Sequence, residues 1–323
     1  MGDILGDDKL KRHGGLYSAR TAAINIIRRG PVPQHIAFIM DGNRRYAKAH
    51  GIPTAKGHYL GAEAMSNVAE GCFLCGVKGV TVYAFSLENF KRPKEEIVQL
   101  MNLFKFQIHE LCKPGGLAER FQVSIRVLGQ LDLLDEDLKA LLRQIMEDTR
   151  NRTGGFINCC VAYTSRDEIV TAMSRAVRSS QLKHSSADIT DEVLTRYMYT
   201  ADDPAVDVLV RTSGVSRLSD FLLWQCHEDT DIQIVDAMWP EFGIYHLFLA
   251  IVRWQRKQVD IGPANIQKAT KIEAPSTLSE HNGGARRKNI AESYLFIAGF
   301  VGLVQHASPD QDVQARTKYT FNT

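Results

Sequence analysis

Apolar, β-branched runs recur along the chain at 35–40, 80–85, 123–128, 156–163, 206–210 and 232–235. They are short and almost continuously apolar, the pattern of strands covered on both faces. Helical patterns lie between them at 61–75, 94–111, 136–150, 167–179, 191–199 and 219–225, and another follows at 241–256. Strand and helix in alternation predict a single α/β domain with a central, mainly parallel six-stranded sheet flanked by helices. The ends read differently. Residues 1–30 hold an amphipathic stretch at 16–29, suited either to a membrane surface or to packing on the chain's own core, and Pro31 and Pro33 stop it. A domain of residues 31–262 follows. Beyond it the periodicity fades, and 263–323 reads as a loosely ordered tail with one short helix around 291–304.

The helical segment 94–111 is unusual. Ile97, Val98, Leu100, Met101, Leu103, Phe104, Phe106, Ile108 and Leu111 cover nearly every face of it. A helix apolar all round is either buried on both sides or lines something apolar. A central core helix satisfies the pattern; so does one wall of an apolar tunnel.

In a parallel α/β sheet, ligands bind at the carboxyl ends of the strands. Four of the six strands run into polar or glycine-bearing turns, at 40–46, 85–92, 163–167 and 211–220. Arg44, Arg45, Arg92, Arg211 and Arg217 supply planar forks for anions. Gly42 and Gly214 allow backbone N–H groups to approach an anion closely, and Ser213, Ser216 and Ser219 precede or open a helix whose N-terminus favours phosphate. Asp41 is a carboxylate among these cations. It is either a helix N-cap paired with Arg44 or Arg45, or a Mg²⁺ ligand sharing the ion with substrate phosphates. No GxxxxGK[ST] and no GxGxxG after a strand is present, and Asp202-Asp203 does not extend into a DDxxD box.

Composition narrows the field. With 39 basic and 37 acidic residues the net charge is +2, so no nucleic-acid partner is expected and any anion site is built locally. No apolar run reaches the length of a membrane span, the longest being 294–304 with two glycines, and the first residues lack a signal core, so the chain is expected to begin in the cytosol. Cys72-Phe-Leu-Cys75 has no second pair to complete a zinc site, and the six cysteines read as thiols in a reducing compartment.

His35-Ile-Ala-Phe-Ile-Met-Asp-Gly-Asn-Arg-Arg-Tyr-Ala-Lys48 resembles the first signature of the cis-prenyltransferases, and Tyr83-Ala-Phe-Ser-Leu-Glu-Asn-Phe-Lys-Arg-Pro93 the second. Val210-Arg-Thr-Ser-Gly-Val-Ser-Arg-Leu-Ser-Asp-Phe-Leu-Leu-Trp-Gln225 and Met238-Trp-Pro-Glu-Phe242 are similar to the later ones, in the family's order from Pro31 to Gln258. Within the family, the chain resembles the eukaryotic (fungal-type) dehydrodolichyl diphosphate synthases. The resemblance implies that fold with an apolar tunnel, and repeated addition of isopentenyl diphosphate to farnesyl diphosphate. It implies Asp41 as the catalytic Mg²⁺ ligand, with Gly42, Asn43, Arg44, Arg45, Tyr46 and His58 around the allylic diphosphate. Ser86 and Asn89 match positions tied to removal of the isopentenyl proton, and Phe85, Glu88, Phe90 and Arg92 close over the reacting centre. Arg211, Arg217 and Ser219 would hold isopentenyl diphosphate.

The chain also departs from the pattern. Thr54 stands where bacterial relatives carry arginine, so that Lys56 substitutes or the contact is lost. The nearest match to the family's second acidic position is Asp231. The sequence closes on Lys318-Tyr-Thr-Phe-Asn-Thr323 without the family's Arg-X-Gly ending. The resemblance therefore implies a catalytic subunit completed by a Nogo-B-receptor-like partner through 241–258 and the strand before it. Such a partner, or the N-terminal helix, would hold the chain peripherally on the cytosolic face of the endoplasmic reticulum.

Overall fold

The structure, a computed structural model, describes residues 14–182 and 190–260. Elements follow in the order α1 (Gly14–Ile27), β1 (His35–Ile39), α2 (Asn43–Ala49), α3 (Thr54–Cys75), β2 (Gly79–Ser86), α4 (Lys94–Cys112) and α5 (Leu117–Arg120). Then come β3 (Val123–Leu128), α6 (Glu136–Thr149), β4 (Gly155–Tyr163), α7 (Ser165–Leu182), α8 (Asp191–Thr195), β5 (Val208–Thr212), β6 (Asp231–Val235) and α9 (Ile244–Asp260). One compact unit is Val32–Ala250 and carries the whole sheet; of the other, the described residues are 14–31 and 251–260. In the latter, Gln255 Nε2 donates to the carbonyls of Ile27 and Pro31 (2.9 and 2.8 Å), joining the end of α1 to α9. The short helix expected around 291–304 lies outside the described residues.

Six strands pair in the order β3-β4-β2-β1-β5-β6, every pair parallel. All five residues of β1 are buried, as are eight of the nine in β4, because helices cover both faces of a parallel sheet. β6 alternates instead: it is an edge strand, and Ile232 and Ile234 remain 42% and 37% exposed. The chain moves from β1 outward to β3, then returns past β1 to β5. Loops after β1 and β5 therefore diverge, which opens a crevice between their carboxyl ends.

Polar pairing inside the sheet fixes its register. The Asp207 carboxylate accepts from the N–H groups of Gln34 and His35 (2.6 and 3.1 Å), seating β5 beside β1. His35 is fully buried; its Nδ1 donates to the Pro204 carbonyl (2.9 Å), so Nε2 accepts from the Thr81 hydroxyl (2.7 Å). Asn158 of β4 donates to the same hydroxyl (3.1 Å), so three adjacent strands share one oxygen. Burial lowers the His35 pKa and keeps the ring neutral.

Two expectations are corrected. The segment 219–225 is not a helix but a series of turns, with Ser219, Asp220 and Leu222 in the left-handed region (φ 51, 61 and 45°). Its groups are taken by the start of α7: Ser165 N–H donates to the Asp220 carbonyl (2.7 Å), and Leu223 N–H donates to the Ser165 hydroxyl (3.0 Å). Helix α4 is not a central core helix, because Val98 and Phe106 are more than half exposed while Met101, Ile108 and Leu111 are buried. The strands, by contrast, fall within two residues of the expected spans, and Cys72 and Cys75 are buried and take no part in a disulfide.

Thr81→Val should leave His35 Nε2 and the Asn158 amide without their shared partner. The expected cost is about 1–3 kcal/mol in denaturant unfolding. An unchanged midpoint would show that the shared hydroxyl contributes nothing.

Candidate active site

The first turn of the crevice forms because Gly42 adopts φ 112°, which a side chain resists; a Cβ there would also come within 3.0 Å of Met238. Gly42, not Asp41, precedes α2, so Asp41 is not the cap of that helix. Its main chain is fixed from three sides. Asp41 N–H donates to the Thr212 hydroxyl (3.0 Å), that hydroxyl donates to the Asp41 carbonyl (2.7 Å), and Trp239 N–H donates to the same carbonyl (3.0 Å). The carboxylate is thereby aimed at two cations. Arg211 donates to Oδ2 at 2.7 Å, and Arg45 lies 3.3 Å from Oδ1. Burial opposes ionisation, but the hydrogen bond and charge of Arg211, joined by Arg45, hold the Asp41 pKa below its ordinary value.

Arg211 is itself buried, 2% exposed, and donates also to the Arg217 carbonyl and to the Ser219 hydroxyl (2.7 Å). It therefore ties Asp41 to the turn after β5. Arg45 reaches the same turn through the Ser213 carbonyl (3.3 Å). The expected backbone cradle there is not formed: Ser213 N–H donates to the Ala237 carbonyl and Gly214 N–H to the Val235 carbonyl (2.8 and 3.0 Å), so neither is left for an anion. The left-handed turn at Ser213 and Gly214 serves instead to close onto the strand end of β6.

On the other side, Ser86 caps a 3-10 turn at Leu87–Lys91. Its hydroxyl accepts from Glu88 N–H (3.1 Å), and the Asn89 side-chain oxygen accepts from Ser86 N–H (3.1 Å). The two residues thus define each other's position. Phe90 packs edge-on against Phe85 at 5.0 Å, and the Glu88 carboxylate pairs with Lys91. Arg92 is positioned by Glu96 (3.0 Å), a residue the sequence did not single out although it lies one helical turn on. His58 Nε2 stands 3.8 Å from the same carboxylate and is otherwise without a partner. Burial, then the charges of Arg92 and Arg44, lower the His58 pKa to about 4 despite Glu96. A neutral imidazole beside two arginines marks a cationic pocket. Tyr46 stacks on His50 at 4.0 Å on the outer side of α2.

Asp231 lies elsewhere, whereas Thr54 and Lys56 belong to the first turn of α3, next to that of His58. Asp231 opens β6 level with Val208, at the strand end opposite to Asp41, and Gln233 donates to it (2.8 Å). Thr54 begins α3 at an exposed position, and the Lys56 ammonium rests 4.7 Å over the Tyr59 ring. Among the described residues, no three His, Cys, Asp or Glu side chains converge on a common metal position.

Behind this rim is a cavity of about 120 Å³, with Met40, Asn43, His58 and Trp239 at its polar end. Its walls are Met65, Val82, Phe85, Val161 and the inner face of α4: Leu100, Met101, Leu103, Phe104, Ile108 and Leu111. Gly61 is needed here, since a Cβ would meet Asn43 Oδ1 at 2.2 Å and Trp239 at 3.1 Å. Trp239, buried and donating to the Gly61 carbonyl (2.8 Å), fixes the α3 wall.

A group of arginines beside His58, which itself lines a greasy cavity on the carboxyl edge of a parallel sheet, suits an enzyme acting on an anionic head with a hydrocarbon tail. The chain belongs to the undecaprenyl diphosphate synthase-like prenyltransferases: a family described as putative undecaprenyl diphosphate synthase matches residues 39–262. A Schizosaccharomyces pombe dehydrodolichyl diphosphate synthase complex subunit is 39% identical over 241 residues, 74% of this chain and 91% of its own. The human dehydrodolichyl diphosphate synthase complex subunit is 44% identical over 234 residues, 72% of this chain and 69% of its own. The crystal structure of lavandulyl diphosphate synthase from Lavandula x intermedia is similar with a TM-score of 0.63 at 26% identity, covering 69% of this chain and 95% of that one.

His58 should titrate near pH 4 in the ligand-free protein, and a bound diphosphate should raise that midpoint. Because its folded pKa lies below the ordinary 6.5, its contribution to stability is complete above about 6.5 and is lost as pH falls toward about 4. Imidazole resonances followed by NMR, with and without inorganic diphosphate, check both; a midpoint near 6.5 would refute the cationic pocket.

Proposed function

We propose that the chain lengthens farnesyl diphosphate by repeated cis addition of isopentenyl diphosphate, giving a polyprenyl (dehydrodolichyl) diphosphate for dolichol synthesis and protein glycosylation. The observation that carries this reading is His58, which lines the apolar cavity and at the same time feels the charges of Arg92 and Arg44 and shares Glu96 with Arg92. A diphosphate held at the rim would place its carbon chain against α4, and the product could advance inward by one C5 unit at each turn.

The residues have separable tasks. Arg44, Arg45 and Arg92, with His58, would hold the allylic diphosphate and stabilise the negative charge that grows on it as the carbon–oxygen bond breaks. Arg217 and Ser219 would take the isopentenyl diphosphate, with Arg211 keeping their turn in place. The isopentenyl double bond attacks the electron-poor allylic carbon, and a proton then leaves the adjacent carbon. That proton is acidic beside a cation, so Ser86 and Asn89 need only orient and relay it. Mg²⁺ fits the donor set as an ion shared with substrate: Mg²⁺ typically takes one or two carboxylates with phosphate oxygens and waters, and the Asp41 side chain is still 31% exposed. When bound it would offset charge on the leaving diphosphate.

A Nogo-B-receptor-like partner subunit and peripheral attachment to the cytosolic face of the endoplasmic reticulum belong to the same proposal. Supporting them, the fission-yeast and human relatives are named complex subunits, and the edge strand β6 exposes Ile232 and Ile234. No helix among the described residues is long and apolar enough to cross a membrane.

The test is an assay with farnesyl diphosphate and labelled isopentenyl diphosphate, with and without Mg²⁺ and the partner. Long product that needs Mg²⁺ supports the function, and product only with the partner supports the complex; silence under every condition refutes the function. Asp41→Asn should lower turnover by about 10²–10³-fold or more. Asparagine is preferable to alanine because it retains a polar partner for the buried Arg211. Undiminished turnover in the variant would remove Asp41 from the chemistry.

A further inference from the structure

The turn that carries Arg217 and Ser219 continues into a strained strap. Ser219, Asp220 and Leu222 all take positive φ (51, 61 and 45°), conformations that cost free energy for residues with side chains and persist only where surroundings impose them. The surroundings are known here. Arg166, in the first turn of α7, donates to Asp220 from its backbone N–H (Oδ1, 3.0 Å) and from Nε (Oδ2, 2.7 Å). Ser165 N–H holds the Asp220 carbonyl from the same helix start. From β2, Tyr83 stacks on Phe221 at 4.5 Å, and its hydroxyl lies 3.3 Å from the Ser219 carbonyl.

We infer that Asp220 is a positioning residue: its double tether to Arg166 keeps the strap in its left-handed shape and so sets Ser219 and Arg217 for the isopentenyl diphosphate. This rests on the subsite assignment proposed above. Asp220 lies outside the groups assigned to either diphosphate and acts through the strap. The side chain of Asp220 is 11% exposed while Arg166 is 75% exposed, so the inner partner is the one whose loss frees the turn.

Backbone strain and tether can be separated by substitution. Asp220→Gly accepts φ 61° without cost but removes both tethers; Asp220→Asn tolerates the same φ and keeps the Oδ1 acceptor. In the full chain with its partner, Asp220→Gly should raise KM for isopentenyl diphosphate about tenfold or more, since a misplacement of about 1 Å can cost up to about 10²-fold. KM for farnesyl diphosphate should stay within about twofold and Tm should hold, while Asp220→Asn should return most of the loss. Amide hydrogen exchange across 219–223 should quicken in the glycine variant alone. Calorimetry with inorganic diphosphate runs in parallel. An inactive wild type whose diphosphate affinity still falls in the glycine variant would overturn the substrate reading and leave the clamp standing. Unchanged KM, diphosphate affinity and exchange in Asp220→Gly would overturn the clamp, and so would equal rises in both KM values.

Discussion

The ion pair between Asp41 and Arg211 is the constraint on which the site depends. It joins the ends of β1 and β5, the two neighbouring strands whose following loops diverge at the crevice. A buried guanidinium is costly unless it is paired, and Arg211 uses Nη2 on Asp41 and Nη1 on the Arg217 carbonyl and Ser219, leaving Nε without a partner. One arginine thereby converts two loose loop ends into a single rigid rim. The gain is geometric more than energetic: replacing such a pair with apolar groups is often neutral for stability, whereas no apolar pair would aim a carboxylate and a hydroxyl into the crevice.

The cavity shows the complementary logic. Helix α4 carries apolar residues on most of its surface, so it can line the cavity with one face and leave Val98 and Phe106 in solvent on the other. The cavity meets the rim at His58 and Asn43, where polar and apolar surfaces change over within one side chain. That junction is where an amphiphilic diphosphate must place its reacting carbon. A neutral His58 fits it: a charged imidazole would add a third cation beside Arg44 and Arg92 in a partly dehydrated place.

Much of this was legible beforehand because period and residue type are local properties. Apolar runs marked the strands, and polar turns after them marked the crevice, so Asp41, Ser86, Arg92 and Arg211 could be gathered before any coordinates. Asp231 could not be placed, since adjacency in sequence to the Trp-Pro segment does not reveal which end of a strand a residue occupies. The helix expected at 219–225 failed for a related reason. Its composition permits a helix, but the N–H of Leu223 and the carbonyl of Asp220 are committed to Ser165, more than fifty residues away. The tasks of Thr212, seen only as part of a signature, and of Glu96 are not legible in sequence, because a threonine at a strand end or a glutamate on a helix acquires meaning only from what it touches.

The two substrate loops are built on opposite principles. The loop after β2 is locally determined: Ser86 and Asn89 cap each other within four residues, so its shape survives whatever happens elsewhere. The turn after β5 has local bonds, from Arg211 to Ser219 and from Phe221 N–H to the Leu218 carbonyl (3.2 Å), but its left-handed residues are also held by distant groups, through Ser165, Arg166 and Tyr83. A self-contained loop suits the step where atoms must be held to a fraction of an ångström. A loop held from outside takes its shape from the rest of the fold instead: the bonds from α7 and β2 that impose its left-handed residues also set where Ser219 stands, so this side of the crevice is fixed by the packing of the sheet rather than by its own sequence.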